Sequence, residues 1–201
     1  MKRKAVIISL KGTSLTKKEK SLLKNEKPWG VILFERNLKS ISQIKKLTSK
    51  IKDLTRNKTF PIIIDEEGGS VSRLRKIIDH NLSANFFGNL FKNNKNICIK
   101  IFKLYLFSIC SILKDLGINI NTIPVLDIVR YNTNKIIGNR SFSNDKQIVK
   151  ILGNLTINHL NSNKIATVIK HIPGHGASKT DSHKRTPIVR LNKKKLNEID
   201  F

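Results

Sequence analysis

Lys170-His171-Ile172-Pro173-Gly174-His175-Gly176 is followed, after four residues, by Asp181-Ser182-His183. Three imidazoles, two amines and a carboxylate thus crowd into fourteen positions, and the Pro and Gly among them rule out one regular helix. Three chemistries compete for such a loop. His171 and His175 have the i, i+4 spacing of helical zinc ligands, but Pro173 and Gly174 remove the helix that makes the spacing useful, so no metal is expected. Gly174 to Thr180 ends like a phosphate-cradling loop, yet Pro173 and Ser178 stand where that template needs glycine. Acid/base work fits better. Asp181 and His183 flank one residue and point the same way if the loop is extended, and a carboxylate on one imidazole nitrogen orients the ring and makes the other more basic. An Asp helix cap beside a surface histidine explains the same two residues equally well on local grounds.

A second cluster is Asp65-Glu66-Glu67-Gly68-Gly69-Ser70-Val71-Ser72-Arg73. Paired glycines allow a sharp turn and a close approach of backbone to ligand, Asp65 can accept from two neighbouring hydroxyls, and Arg73 can clamp an oxygen nearby. A Gly-Gly turn with solvated carboxylates is the plainer alternative. Lys170 and His171 resist that kind of alternative, because a lysine at the end of a buried strand is either paired or functional.

Strand-like and helix-like runs alternate around these residues. Val6 to Leu10 reads as a first buried strand, Thr16-Lys17-Lys18-Glu19 as a capping box opening a helix with Leu22 and Leu23, and Gly30 to Phe34 as a second strand. Ile41, Ile44, Leu47, Ile51 and Leu54 mark one helix face, and Pro61 to Asp65 is a third strand, β-branched throughout as when both faces are buried. Weak periodicity from Ile77 to Asn96 predicts a long loop with a short helical turn. A core helix over Ile97 to Leu116 ends at Gly117, a fourth strand runs from Ile118 to Ile123, a helix covers Asp145 to Asn161, and Ala166 to Ile169 is a fifth strand. Alternation of this kind implies a parallel sheet with right-handed crossovers. Asp65, Arg140, Lys170 and His171 all fall at or beyond strand C-terminal ends, where barrels and open α/β sheets alike place their sites.

The chain has 201 residues, enough for one domain, and its 39% hydrophobic content is that of a globular protein. Its net charge of +25 is spread through every segment with an excess of Asn and Ile, and aromatics are only 6%, so a nucleic-acid partner is not expected. The apolar run after Met1-Lys2-Arg3-Lys4 is too short for a secretion signal, and Lys100 and Lys103 interrupt the run from Ile97 to Leu113 short of the roughly 20 apolar residues of a membrane span. No membrane partner is expected either. Cys98 and Cys110 lie about 18 Å apart along one helix, beyond the reach of a disulfide, which favours the cytoplasm.

In order along the chain, Gly30-Val31-Ile32-Leu33-Phe34-Glu35-Arg36-Asn37, Asp65 to Arg73, Pro124-Val125-Leu126-Asp127, Ile137-Gly138-Asn139-Arg140-Ser141-Phe142 and Lys170 to His183 resemble successive motifs of glycoside hydrolase family 3. The branch they resemble most is the bacterial β-N-acetylhexosaminidases of cell-wall recycling. The resemblance implies a (β/α)8 barrel that removes terminal, non-reducing β-linked N-acetylglucosamine with retention and without a cofactor, from a muropeptide-like saccharide. It also implies that Asp65, Arg73, Arg140, Lys170 and His171 bind the sugar, with His183 as acid/base and Asp181 as its partner. Asn139 departs from the aspartate common there, which the resemblance ties to weaker positioning of Arg140.

Five strands fall short of a closed barrel of about 250 residues. The expectation is an α/β chain holding the N-terminal portion of such a barrel, about five β/α units in one incomplete catalytic domain over residues 1–201. A complete five-stranded open sheet is the alternative. The family's nucleophilic aspartate belongs to a later strand, so a non-catalytic sugar-binding fragment or half of a split enzyme is the competing functional expectation.

Overall fold

A computed structural model describes residues 3–78, 80–172, 174–181 and 184–199. Five parallel strands form the main sheet: β1 (Lys4–Ser9), β2 (Pro28–Leu33), β3 (Ile62–Ile64), β6 (Ile120–Asn121) and β7 (Ala166–Thr167). Between β3 and β6 a small antiparallel hairpin, β4 (Glu66–Gly68) with β5 (Val71–Ser72), stands on its own. The main strands are neighbours in the order in which the chain makes them. A doubly wound sheet reverses direction at a switch point, and this sheet never does, so its winding is that of a barrel wall.

Helices alternate with the strands: α1 (Lys17–Asn25), α2 (Ile41–Thr55), α3 (Ala84–Asn93), α4 (Lys95–Asp115), α5 (Lys146–Ser162) and a short α6 (Lys193–Ile199). The expected capping box is present, with Thr16 Oγ1 accepting from the Glu19 N–H at 3.2 Å and Glu19 Oε2 accepting from the Thr16 N–H at 2.7 Å. Ile44, Leu47 and Ile51 of α2 are buried, as their spacing requires, and pack in the same core as Val31, Leu33, Ile62 and Ile64. Gly117 takes a left-handed φ of +74° after α4, where a Cβ would come within 2.7 Å of Thr48 Oγ1.

Three expectations change. The stretch from 77 to 96 is not mainly loop, since α3 occupies ten of its residues. Asparagines dilute its helix propensity, and tertiary contacts restore it: the Phe87 ring packs at a tilt with its centroid 4.5 Å from that of Phe102, and Gly88 lies against the Phe142 carbonyl. The first strand is not buried. It pairs only with β2, and Val6 and Ile7 are 44% and 47% exposed because β1 is an edge of the sheet. The fifth strand is shorter than Ala166 to Ile169 and forms the other edge, leaving Val168 and Ile169 exposed.

Candidate active site

Residues just past the C-terminal ends of β3, β6 and β7 build the site. Asp65 comes directly after β3 and Thr122 directly after β6. Lys170 arrives three residues beyond β7 and bridges to Val125 across the same end of the sheet. Thr122 Oγ1 donates a short hydrogen bond to Asp65 Oδ1. Lys170 Nζ lies 2.9 Å from Thr122 Oγ1 and 3.3 Å from Asp65 Oδ1, and Arg73 Nη2 lies 3.3 Å from Asp65 Oδ2.

The hairpin explains how Arg73 reaches Asp65. Gly68 and Gly69 have φ of +83° and +56°, and a Cβ on Gly68 would sit 2.3 Å from the Leu82 carbonyl oxygen. Only glycine turns there without strain and overlap. Glu66, the carboxylate expected to be solvated in the plainer reading, is fully buried, and its Oε2 accepts from the N–H groups of Arg73 and Leu74 at 2.9 Å each. Its other oxygen pairs with His80 Nε2, and Asn121 exchanges two hydrogen bonds with its backbone.

Glu67 faces the opposite way. Its carboxylate accepts from Arg140 Nε at 2.8 Å and Nη2 at 2.9 Å, and forms an ion pair with Lys170 Nζ at 2.5 Å. Arg140 also donates to the Ile136 carbonyl at 3.0 Å. Asn139 accepts a hydrogen bond from Ser70.

His171 is held from both sides. Its Nδ1 is 2.6 Å from Asp127 Oδ2, and its Nε2 is 3.3 Å from Arg140 Nη2. A single tautomer, with the proton on Nδ1, satisfies both contacts. The second oxygen of Asp127 accepts from the N–H groups of His175 at 2.5 Å and Gly176 at 3.2 Å, tying the Pro-Gly loop to the strand end. Gly176 has no room for a side chain, since a Cβ would lie 2.1 Å from the Ile128 carbonyl oxygen.

These partners set the ionisation of the site. Burial pushes Asp65 up, but the Thr122 hydroxyl and the nearby Lys170 and Arg73 charges outweigh it and hold the carboxyl below its ordinary value. Burial likewise opposes ionisation of Asp127, and the His171 hydrogen bond and charge with the two loop N–H groups bring it below the ordinary value. For Arg140, desolvation acts downward and the Glu67 carboxylate outweighs it, raising the guanidinium above its ordinary value. Three carboxylates, Asp65, Glu67 and Asp127, thus interlock with three cations, Arg73, Arg140 and Lys170, and with His171. The three carboxylates and the three cations cancel one another, and the cluster presents both donors and acceptors.

All five residues expected to bind a sugar, Asp65, Arg73, Arg140, Lys170 and His171, come together here. Asp181 opens the next turn, its carbonyl accepting from the N–H groups of Lys184 and Arg185. His183, the expected acid/base, lies outside the described residues. Sequence reasoning gave no role to Thr122, Glu67 or Asp127. Thr122 obeys the positional rule that singled out Asp65, since it lies directly past the end of β6, whereas Asp127 stands two residues beyond the isolated bridge between Val125 and Lys170. Among the described residues no three His, Cys, Asp or Glu side chains are placed to hold a metal ion.

A family model described as the glycosyl hydrolase family 3 N terminal domain matches residues 4–201. The chain belongs to that family. This family 3 domain is 31% identical over 185 residues to a beta-hexosaminidase of Thioalkalivibrio sulfidiphilus, covering 92% of this chain and 53% of that protein. It is 33% identical over 187 residues to a beta-hexosaminidase of Bordetella pertussis, covering 91% and 52%. The domain superposes on the crystal structure of NagZ from Neisseria gonorrhoeae with a TM-score of 0.90 and 30% identity, covering 98% of this chain and 57% of that one. A further structure of that protein, in complex with N-trifluoroacetyl-D-glucosamine, matches equally well. The family 3 chain spans about half the length of the curated relatives it matches.

Proposed function

We propose that residues 1–201 carry the sugar-binding portion, and the acid/base loop, of a retaining β-N-acetylhexosaminidase. One observation carries the reading: the interlocked, charge-balanced cluster of Asp65, Arg73, Glu67, Arg140, Lys170, His171 and Asp127 at the strand ends. A neutral polyhydroxyl ligand offers donors and acceptors but no charge. It is best held by fixed ionic groups that cancel one another and keep lone pairs and N–H bonds to spare. Asp65 accepts from sugar hydroxyls, while Arg73 and Lys170 donate to sugar oxygens. Arg140 and His171 border the same space.

Retaining hydrolysis assigns the remaining roles. His183, oriented by Asp181, protonates the leaving oxygen and afterwards takes a proton from water. The nucleophile that forms the glycosyl-enzyme bond belongs to a later strand of the family, outside residues 1–201. The natural substrate in this reading is a muropeptide-like saccharide ending in N-acetylglucosamine, processed in the cytoplasm during peptidoglycan recycling. The two free, buried cysteines support that compartment.

A second reading, a non-catalytic sugar-binding unit or one half of a split enzyme, is favoured by the exposed apolar residues on both sheet edges, Val6, Ile7, Val168 and Ile169. Both readings are tested together. Calorimetric titration with N-acetylglucosamine should show binding that Asp65→Asn and Lys170→Met each abolish, and absence of binding refutes both. Release of aryl alcohol from an aryl N-acetylglucosaminide by purified 1–201 is expected to be absent. Turnover that His183→Ala removes would show that these residues contain a nucleophile after all.

A further inference from the structure

The helix α4 has two apolar sides. Cys98, Phe102, Leu106, Ile109, Cys110 and Leu113 are buried against the core, as expected of a core helix. Its outer side carries Leu104 at 68% exposure and Phe107 at 57%, with Ile97 and Ile101 also exposed. A helix covering a soluble domain normally turns polar residues outward along its length. Here the exposed polar residues of the helix are Lys95, Asn96, Lys100, Lys103, Ser108, Ser111, Lys114 and Asp115. Four of these are lysines, and Asp115, at the C-terminal end and paired with Lys45, is the one carboxylate of the helix.

We infer that the outer face of α4 docks on an anionic lipid surface, lying in the plane of the membrane. By length and composition alone α4 could cross a bilayer, but its inner stripe is committed to the core, which leaves one face available. An apolar strip flanked by lysines is the pattern of an interfacial helix: the apolar side chains enter the headgroup boundary and the ammonium groups meet lipid phosphates. The helix is 21 residues long, so a face about 30 Å in length is on offer.

Charge selects this occupant over a second copy of the chain. Two copies meeting through α4 would set four lysines against four, with Asp115 the one carboxylate of each helix and already paired with Lys45, in a protein of net charge +25. Shape selects it over an acidic protein. The apolar residues lie on a convex helix side and line neither the cleft beside Gly176 to Leu191 nor the groove between α1 and α2, whereas a fluid lipid surface needs no complementary hollow.

Vesicle sedimentation tests the inference, with purified 1–201 and vesicles of phosphatidylcholine alone or with phosphatidylglycerol. Binding is expected only with phosphatidylglycerol, and Leu104→Ser with Phe107→Ser should weaken it about tenfold. Lys100→Gln with Lys103→Gln should weaken it more than Lys46→Gln with Lys50→Gln, which removes the same charge from α2. No binding to phosphatidylglycerol vesicles at low salt overturns the inference. So does binding that the Leu104/Phe107 variant retains in full, which marks adsorption by net charge alone, or an equal effect of the two lysine pairs. Concentration-dependent dimerisation of the wild type that the Leu104/Phe107 variant loses assigns the face to a second copy and overturns it as well. Unchanged circular dichroism of each variant shows that the fold is intact.

Discussion

One carboxylate, that of Glu67, joins Arg140 to Lys170, two cations that are 30 residues apart in the chain and belong to different crossovers of the sheet. Its side chain is only 4% exposed, so the three charges are held in one small, largely dry space. Among the described residues neither cation has a second carboxylate at the same short distance: Asp65 stands 3.3 Å from Lys170, and Arg140 otherwise bonds a carbonyl and an imidazole.

Glu67→Gln keeps the volume and removes the charge. The two largely buried cations then lose their common partner, at a cost of about 3 kcal/mol. For 201 residues this corresponds to a Tm lower by on the order of 10 °C, measured by scanning calorimetry. N-acetylglucosamine affinity should fall with it, because Lys170 and Arg140 no longer hold their places.

Acid should remove the stability that the site's two depressed carboxylates contribute. Asp65 and Asp127 both ionise below their ordinary values in the folded chain. The stability each contributes is therefore present above the unfolded-state value of about 3.9 and is lost as pH falls through the lower folded value. Urea denaturation across this range should show falling stability, and Asp65→Asn or Asp127→Asn should flatten that fall. A slope unchanged in both variants would contradict the assigned partners.

Asp127→Asn should also free the loop beyond Lys170. An amide can accept from His171, but it cannot offer a charged oxygen to the N–H groups of His175 and Gly176 as well. Hydrogen exchange at those two amides is expected to quicken about tenfold or more, with β3 amides unaffected.

Gly68→Ala tests the hairpin. The residue has a left-handed φ, and its new Cβ would meet the Leu82 carbonyl oxygen at 2.3 Å. A loss of about 2 kcal/mol or more is expected in urea denaturation. Sugar affinity should fall too, because the hairpin brings Arg73 to Asp65.

Much of the site was legible because chemistry-bearing residues stood at predictable places. Pro61 to Asp65 announced a buried strand ending in a carboxylate, and Lys170-His171 ended another, so their convergence came from the parallel winding alone. Glu66 and Glu67 were harder to read. Adjacent in the chain, they face opposite ways on a two-residue alternation, one into the hairpin's own backbone and the other toward Arg140, and sequence alone does not tell a buried acid from a solvated one. Residues 84–93 were missed for a related reason, since asparagine-rich sequence forms helix there only because Phe87 has Phe102 and Tyr105 to pack against.

The sequence by itself determined the class of the fold, the order of its elements and the residue types gathered at strand ends, because hydrophobic period, caps and Pro-Gly breaks act locally. Tertiary structure decided which charge meets which. The Glu67 bridge, the grip of Asp127 on His171 and the Pro-Gly loop, and the open edges at β1 and β7 all join or separate segments far apart in sequence. Such pairings depend on how distant strand ends converge in space, and no local pattern encodes that distance.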